Sequence, residues 1–400
     1  MTVPGGRERR RLTGAMLFAA LAAFGLLYST QALLPSISMG FGVGPTAASL
    51  TVSATTGALA LAMLPLSSVA ESFGRVRVMR AGLLVACLFT FVGAAAPLFW
   101  MLLLTRVLVG AALAAVVAVA VAHLGDEVQP AELGTVIGVY VAGNTLGGIS
   151  GRVIPGLVEE GSSWRAAVAV LGAVALVAVL VFVRMLPPAR RQVSTATRPR
   201  EHVQAFRDLV RDPGIVRLSA LAFLLMGGFI ACYNYLTFRL EAAPLHLSTS
   251  LTSLLFLAYL AGTVSSPLAG RLSDRFGRKP LALVGIAVSL LGLALMLPDR
   301  IGWVTVGLLV FTAGFFATHS VASSWVSSRA AGLRGQASAL YLLAYYLGSS
   351  TFGAVIGLAY QYDGWRAVTA TVALLFLLGA VTVSGVGPPD PARQSSRTGR

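Results

Sequence analysis

The sequence predicts an all-α membrane protein with twelve transmembrane helices in two parallel six-helix repeats. Three observations carry that expectation. Of the 400 residues 56% are hydrophobic and 11% charged, and the apolar ones gather in runs of about 20, enough for a helix to cross a hydrocarbon core roughly 30 Å thick. Lys and Arg concentrate in alternate gaps between those runs, and the second half repeats the first in register.

The runs lie near residues 13–36, 47–70, 78–98, 101–123, 134–156, 164–185, 217–239, 249–271, 280–298, 303–326, 336–359 and 365–386. The first follows "RERRR", as a secretory signal would. It is longer than a signal h-region of roughly 7–15 residues and has no A-x-A site, so it reads as a retained span. The longest polar stretch, about Pro187 to Arg217, is linker-sized and leaves no room for a folded soluble domain. The expected organisation is a six-helix bundle over 1–186, a cytoplasmic linker over 187–216, a second bundle over 217–388 and a cytoplasmic tail over 389–400.

A formal net charge of +15 would suggest nucleic acid in a soluble chain. With a cytoplasmic N-terminus, however, the inside segments hold 24 of the 30 Lys and Arg residues. Positive charge accumulates in cytoplasmic loops, so the excess is a topology signal. It predicts both termini inside and no nucleic-acid partner. Cys87 and Cys232 sit within apolar runs and imply neither a disulfide framework nor a metal site. No cofactor is expected. A membrane enzyme would need clustered nucleophiles, paired carboxylates or metal ligands, which the sequence lacks. Phosphate loops of the G-x-G-x-x-G or G-x-x-x-x-G-K-S type, which ATP-driven pumping would need, are missing too.

At an offset of 201 residues "WRAAV" from Trp164 falls on "WRAV" from Trp365, Tyr140 on Tyr341, and Gly147 on Gly348. Near "AGRLSDRFGRKP" (269–280) the offset becomes 203, pairing Glu71 with Asp274 and Gly74, Arg75 with Gly277, Arg278. Six spans per copy make the repeat parallel, related by an axis along the membrane normal. A site near the midplane between the halves, with alternating access, is the expectation.

The 269–280 segment places five charges in twelve residues, with Gly270, Asp274, Arg275, Gly277, Arg278 and Lys279 spaced as G-x-x-x-D-R-x-G-R-K. This resembles the major facilitator superfamily, whose signature loop recurs between spans two and three and between spans eight and nine. The resemblance implies the major facilitator fold and assigns Asp274 and Arg278 to a cytoplasmic latch, together with Gly270, Arg275 and Gly277. In the first copy, "SSVAESFGRVR", Glu71, Gly74, Arg75 and Arg77 match, but Ser67 replaces the first glycine and Glu71 the aspartate. A carboxylate among arginines can bridge to a neighbouring helix end in one conformation only, biasing a two-state equilibrium.

Arg106 in "RVLVGAALAA" resembles the superfamily's R-x-x-x-G pattern of the fourth span; the alternative is an arginine snorkelling to the interface. "GNTLGG" looks like a relic of its antiporter signature with Asn144 in place of proline. Gly143, Gly147 and Gly151 recur every fourth residue, a ridge that also serves plain helix packing. "FFATHSVASSW" around His319, with "LLMGGFIACYNYLTFRL" and "GQASALYLLAYYLGSS", looks like bacterial twelve-span proton-coupled efflux permeases of the drug and sugar branch. All fifteen acids map to span ends, loops or tails. His319, with an ordinary pKa near 6.5, is therefore the candidate proton carrier, and a hydrogen bond to a neighbouring helix is its bland alternative. Arg106, Arg152, Gln31, Asn144, Asn234, Tyr140 and Tyr341 join His319 as candidates for a polar substrate or proton pathway.

These readings converge on a secondary transporter of a small molecule, working by alternating access as a monomer in the lipid bilayer of the bacterial inner (plasma) membrane. Proton-coupled efflux, as an antiporter, is the preferred mode. Without buried carboxylates, neutral or anionic solutes fit better than cations. An importer or uniporter is the alternative; a channel or receptor would need neither the repeat nor the latch.

Overall fold

The computed structural model describes residues 6–187, 199–330 and 332–387, and the side chains of 199–203 and 205 are left aside. The expected tail 389–400, with Arg393, Arg397 and Arg400, lies outside the described residues, as does 188–198 of the linker. All regular structure described is helical: α1 Gly6–Leu27, α2 Leu34–Phe41, α3 Pro45–Phe73, α4 Arg75–Ala94, α5 Phe99–Val117, α6 Ala120–Glu127, α7 Pro130–Glu159 and α8 Trp164–Met185. They are followed by α9 Pro199–Val210, α10 Pro213–Glu241, α11 Thr249–Leu254, α12 Leu260–Phe276, α13 Arg278–Leu295, α14 Ile301–Arg329 and α15 Arg334–Ser384.

Eleven segments among these are long and apolar enough to cross a membrane. The last, α15, runs for 51 residues, about 75 Å at 1.5 Å per residue and far beyond one bilayer crossing. It is two helices: Asp363 (φ −144°, ψ 34°) and Gly364 (φ 55°, ψ −138°) leave helical space between them. Only Gly takes that left-handed φ at low cost. The break makes twelve spans, the major facilitator architecture of two six-helix repeats.

Several spans are not single rods. The first is interrupted: α1 ends at Leu27, a 3₁₀ turn covers Gln31–Leu33, and α2 restarts with Pro35 in its first turn. Pro35 lacks the N–H that would bond the Gln31 carbonyl four residues back, which removes a rung of the ladder. The fourth span divides into α5 and α6. In the eighth, a 3₁₀ turn at Leu255–Tyr259 separates α11 from α12.

The chain forms two compact units, Met1–Ala196 with Leu247–Leu257, and Thr197–His246 with Ala258–Arg400. Residues 247–257, which the sequence reading places in the second bundle, thus group with the first. The linker holds a helix of its own, α9, and α10 begins earlier than expected, at Pro213.

In the first unit α1 packs on α7 and α8, and α3 on α5. The ridge of α7 makes the α1 contact close: a Cβ on Gly143, Gly147 or Gly151 would fall within 3 Å of the Leu17, Leu21 or Gly25 carbonyl. In the second unit α10 packs on α15 in the same way, Gly348 lying against the Phe223 carbonyl and Gly227 against that of Gly348. The ends of the units also match. Arg11 donates to the Arg184 carbonyl at the end of α8, and Arg217 to the Gly385 carbonyl after α15. Each cation meets the negative end of a helix dipole.

Candidate functional site

The first unit gathers its buried polar side chains around the interruption of span one. Arg152 of α7, 1% exposed, donates from Nε to Gln31 Oε1 at 2.6 Å and from Nη1 to the Gly148 carbonyl. Its guanidinium lies 3.9 Å from the centre of the Tyr28 ring and 5.4 Å from that of Phe256. A cation over an aromatic face is held by the ring quadrupole. Tyr28 and Gln31 reach it because the helix is broken between them.

Arg106 of α5 is 2% exposed and does not snorkel. Its Nη2 donates to the Leu26 and Leu27 carbonyls at 3.0 and 2.9 Å, Nη1 to Ser29 Oγ at 3.0 Å, and Nε to the Thr51 carbonyl of α3 at 3.3 Å. Burying an arginine in a span costs about 2.5–3.5 kcal/mol on insertion scales, and these neutral oxygens offset that cost.

The second unit presents an aromatic group. His319 of α14 is half-buried, with Nδ1 3.0 Å from the Tyr341 hydroxyl of α15 and its ring 4.8 Å from that of Tyr345. Behind it Phe315 stacks on Phe229 at 3.8 Å, and Tyr233 bonds Thr312 at 2.7 Å. Asn234 is fully buried and donates to the Gly353 carbonyl, joining α10 to α15. Tyr140 is buried on α7, with Asn144 one turn along.

The two signature segments are one-residue turns rather than loops. Gly74 (φ 93°) alone joins α3 to α4, and Gly277 (φ 90°) alone joins α12 to α13. Both need glycine for their backbone. Gly270 does not: nothing lies within 4 Å of where its Cβ would be, so close helix approach is not its reason.

Arg75 forms an ion pair with Asp126 near the end of α6, and Arg278 donates to Ser328 Oγ near the end of α14. Arg75 and Arg278 are paired by the repeat, and Asp126 and Ser328 are 202 residues apart, between its offsets of 201 and 203, so these are equivalent contacts. The sequence reading missed Asp126, since an acid at a span end looks like any loop acid; only its register with Ser328 marks it. Glu71 lies in the last turn of α3, and Arg77 is exposed on α4. Arg275 lies over the ring of Phe276. Asp274 is exposed, and among the described residues its side chain makes no ion pair or hydrogen bond. The expected bridge from Asp274 is therefore absent from this conformation, and Arg278 makes its contact with Ser328 instead. Lys279 donates to the Ser384 carbonyl at 2.9 Å, as Arg80 does to Val183 and Leu186.

The family described as Major Facilitator Superfamily matches residues 15–353 and 242–400. The chain is 40% identical over 374 residues to the "Inner membrane transport protein YnfM" of Escherichia coli, covering 94% of this chain and 90% of that protein. It is 27% identical over 372 residues to a "Probable sugar efflux transporter" of Helicobacter pylori, covering 88% and 90%. Among solved structures, it matches a bacterial homologue of the human lysosomal transporter Spinster with a TM-score of 0.76 at 16% identity, covering 96% and 95%. The nucleoside transporter NupG matches with a TM-score of 0.75 at 15% identity, covering 94% and 100%.

Proposed function

Because the chain belongs to the Major Facilitator Superfamily, a family of membrane transporters, we propose that it exports a small neutral or anionic organic solute in exchange for protons. It does so by alternating access, as a monomer in the inner membrane, with both termini in the cytoplasm. The observation that carries this reading is the pair of polar clusters set into otherwise apolar spans: Arg152 with Gln31 and Tyr28, and His319 with Tyr341 and Tyr345.

The guanidinium of Arg152 and the amide of Gln31 suit carboxylate or hydroxyl groups of a solute, and buried ionisable groups in spans mark transport pathways. Relatives named for sugar efflux support export and a hydroxyl-rich solute. His319 carries the proton, since imidazole changes charge between pH 5 and 8 and Tyr341 is in hydrogen-bond reach of it. Tyr140 and Asn144 extend the polar path in the first unit, and Asn234 braces it in the second. Arg75 with Asp126 and Arg278 with Ser328 form the cytoplasmic latch with Glu71, Arg77 and Arg275, and Asp274 takes up a partner in its other state.

The test compares untargeted metabolites in cells and medium for the intact chain, Arg152→Met and His319→Gln at equal membrane abundance. A compound that leaves the cells only with the intact chain establishes export and names the solute. In vesicles with that solute, His319→Gln should remove its dependence on an imposed pH gradient. Accumulation inside the cells would reverse the direction, and unchanged pH-dependent export by His319→Gln would end the role given to that residue.

A further inference from the structure

The interrupted first span leaves specific backbone groups without their usual partners. In a continuous helix the Gln31 N–H would bond the Leu27 carbonyl; here it bonds Tyr28 three residues back, at 3.0 Å. The Leu27 carbonyl loses its amide, and Leu26 keeps a 3.4 Å contact with the Ser29 N–H and accepts from the Ser29 hydroxyl at 3.0 Å. In a bilayer such groups find no water and must be satisfied within the protein. Both carbonyls accept from Arg106 Nη2, and Ser29 Oγ from Nη1. We infer that Arg106 is a positioning residue: a built-in cation that caps the interrupted first span and so holds Tyr28 and Gln31 against Arg152.

The second half supplies an internal comparison. Gly147 lies against the Leu21 carbonyl as Gly348 does against that of Phe223, which sets α1 on α10 at an offset of 202; Gln31 then falls on Tyr233, inside α10, which runs without a break from Pro213 to Glu241. The fourth span of that half, α14, has no Lys or Arg before Arg329. The cation and the break occur together in one half and are absent together from the other. Arg106 also lacks what a proton carrier needs: among the described residues no carboxylate pairs with it, and its four partners are neutral oxygens from α1, the turn after it and α3. Only the planar fork of arginine satisfies that many acceptors at once.

The importance of Tyr28 and Gln31 rests on the solute-facing reading of Arg152 above, but the test does not depend on transport. Amide exchange is followed in purified protein over residues 24–33 and, as a reference, over α7. Arg106→Met should weaken protection of 24–33 by about tenfold or more, as for a locally opened segment, and leave α7 unchanged. Millimolar guanidinium should restore protection and urea should not. Arg106→Lys should retain part of it, and Ser29→Ala should weaken the same amides less. With fluorotyrosine at position 28, Arg106→Met should shift the fluorine resonance in the direction that Arg152→Met does.

Protection lost evenly through the bundle, with no response to guanidinium, would overturn the inference. So would unchanged exchange at 24–33. Should Arg106→Met not fold, Ser29→Ala and Arg106→Lys decide, because both leave the first-unit packing in place. A failure of the transport assay with these results intact would count against the proposed function and not against the cap.

Discussion

Asp212 acts twice at the start of α10. Its carboxylate accepts from the Gly214 N–H at 2.8 Å as an N-cap, and it receives Arg329 Nε at 2.9 and 3.1 Å. The two side chains are 15% and 4% exposed, so neither charge is well hydrated if the other is lost. Asp212→Asn separates the two jobs, since Asn caps as well as Asp. It should cost about 3 kcal/mol, as for removing one partner of a buried ion pair. Adding Arg329→Met should recover much of that cost, because the buried cation goes with its counter-ion. The measurement is unfolding in detergent, and a double variant no more stable than Asp212→Asn would refute the argument. The Arg211–Asp208 pair, one turn apart at 3.7 Å with side chains 68% and 36% exposed, is the contrast: its loss should cost no more than about 0.5 kcal/mol.

Between helices, small residues set how close two backbones come. A Cβ on Gly348 would lie 1.9 Å from the Phe223 carbonyl, whereas nothing lies within 4 Å of the Cβ position of Gly138. Gly348→Ala must push α15 off α10 and should lower the yield of monodisperse protein and its melting temperature. Gly138→Ala should leave both unchanged or slightly raised, as alanine is the better helix former by roughly 0.5–1 kcal/mol. Equal melting temperatures for the two variants would refute the close-packing argument. A second prediction concerns α11 against α7. Hydrogen bonds from Ser250 and Ser248 hold the exposed Glu160 carboxyl below its ordinary value. The contact is therefore present above the usual carboxylate range and lost as pH falls through the lowered value. Exchange of 247–257, corrected for intrinsic rates, should accelerate at that pH, and Glu160→Gln should abolish the step. The glycine spacing was legible because a four-residue ridge has one geometric meaning. The interruption of span one was not, since Pro35 only permits a break and the cap that makes it stable comes from Arg106, 71 residues later. The same reason hid the partners of Arg75 and Arg278: a motif gives the residue types at a turn but not which neighbour's end they meet.

For the whole molecule the repeat was the most legible feature, and the structure adds contacts that keep its register. Trp365 Nε1 donates to the Met296 carbonyl after α13, with the Arg239 guanidinium 5.1 Å from its ring, while Trp164 carries Arg165 at 4.3 Å, and Arg165 donates to the Ala96 carbonyl after α4. A parallel repeat fixes the orientation of every span relative to the others but leaves the direction of the whole set to charge. The inside segments of the sequence reading hold 24 of the 30 Lys and Arg residues, so the positive-inside rule predicts that side to be the cytoplasm. Helix α7 offers the test, because residues 127 and 161 flank it on opposite sides of the membrane. Cys87 and Cys232 are buried, so added thiols should dominate labelling. In intact spheroplasts an impermeant maleimide should label Gly161→Cys and not Glu127→Cys, and inverted vesicles should give the reverse. The reverse pattern in spheroplasts would put the arginine-rich ends outside. The helices and both polar clusters would stand, but the latch would then close the opposite face, and the proposed direction of proton exchange would have to be turned around with it.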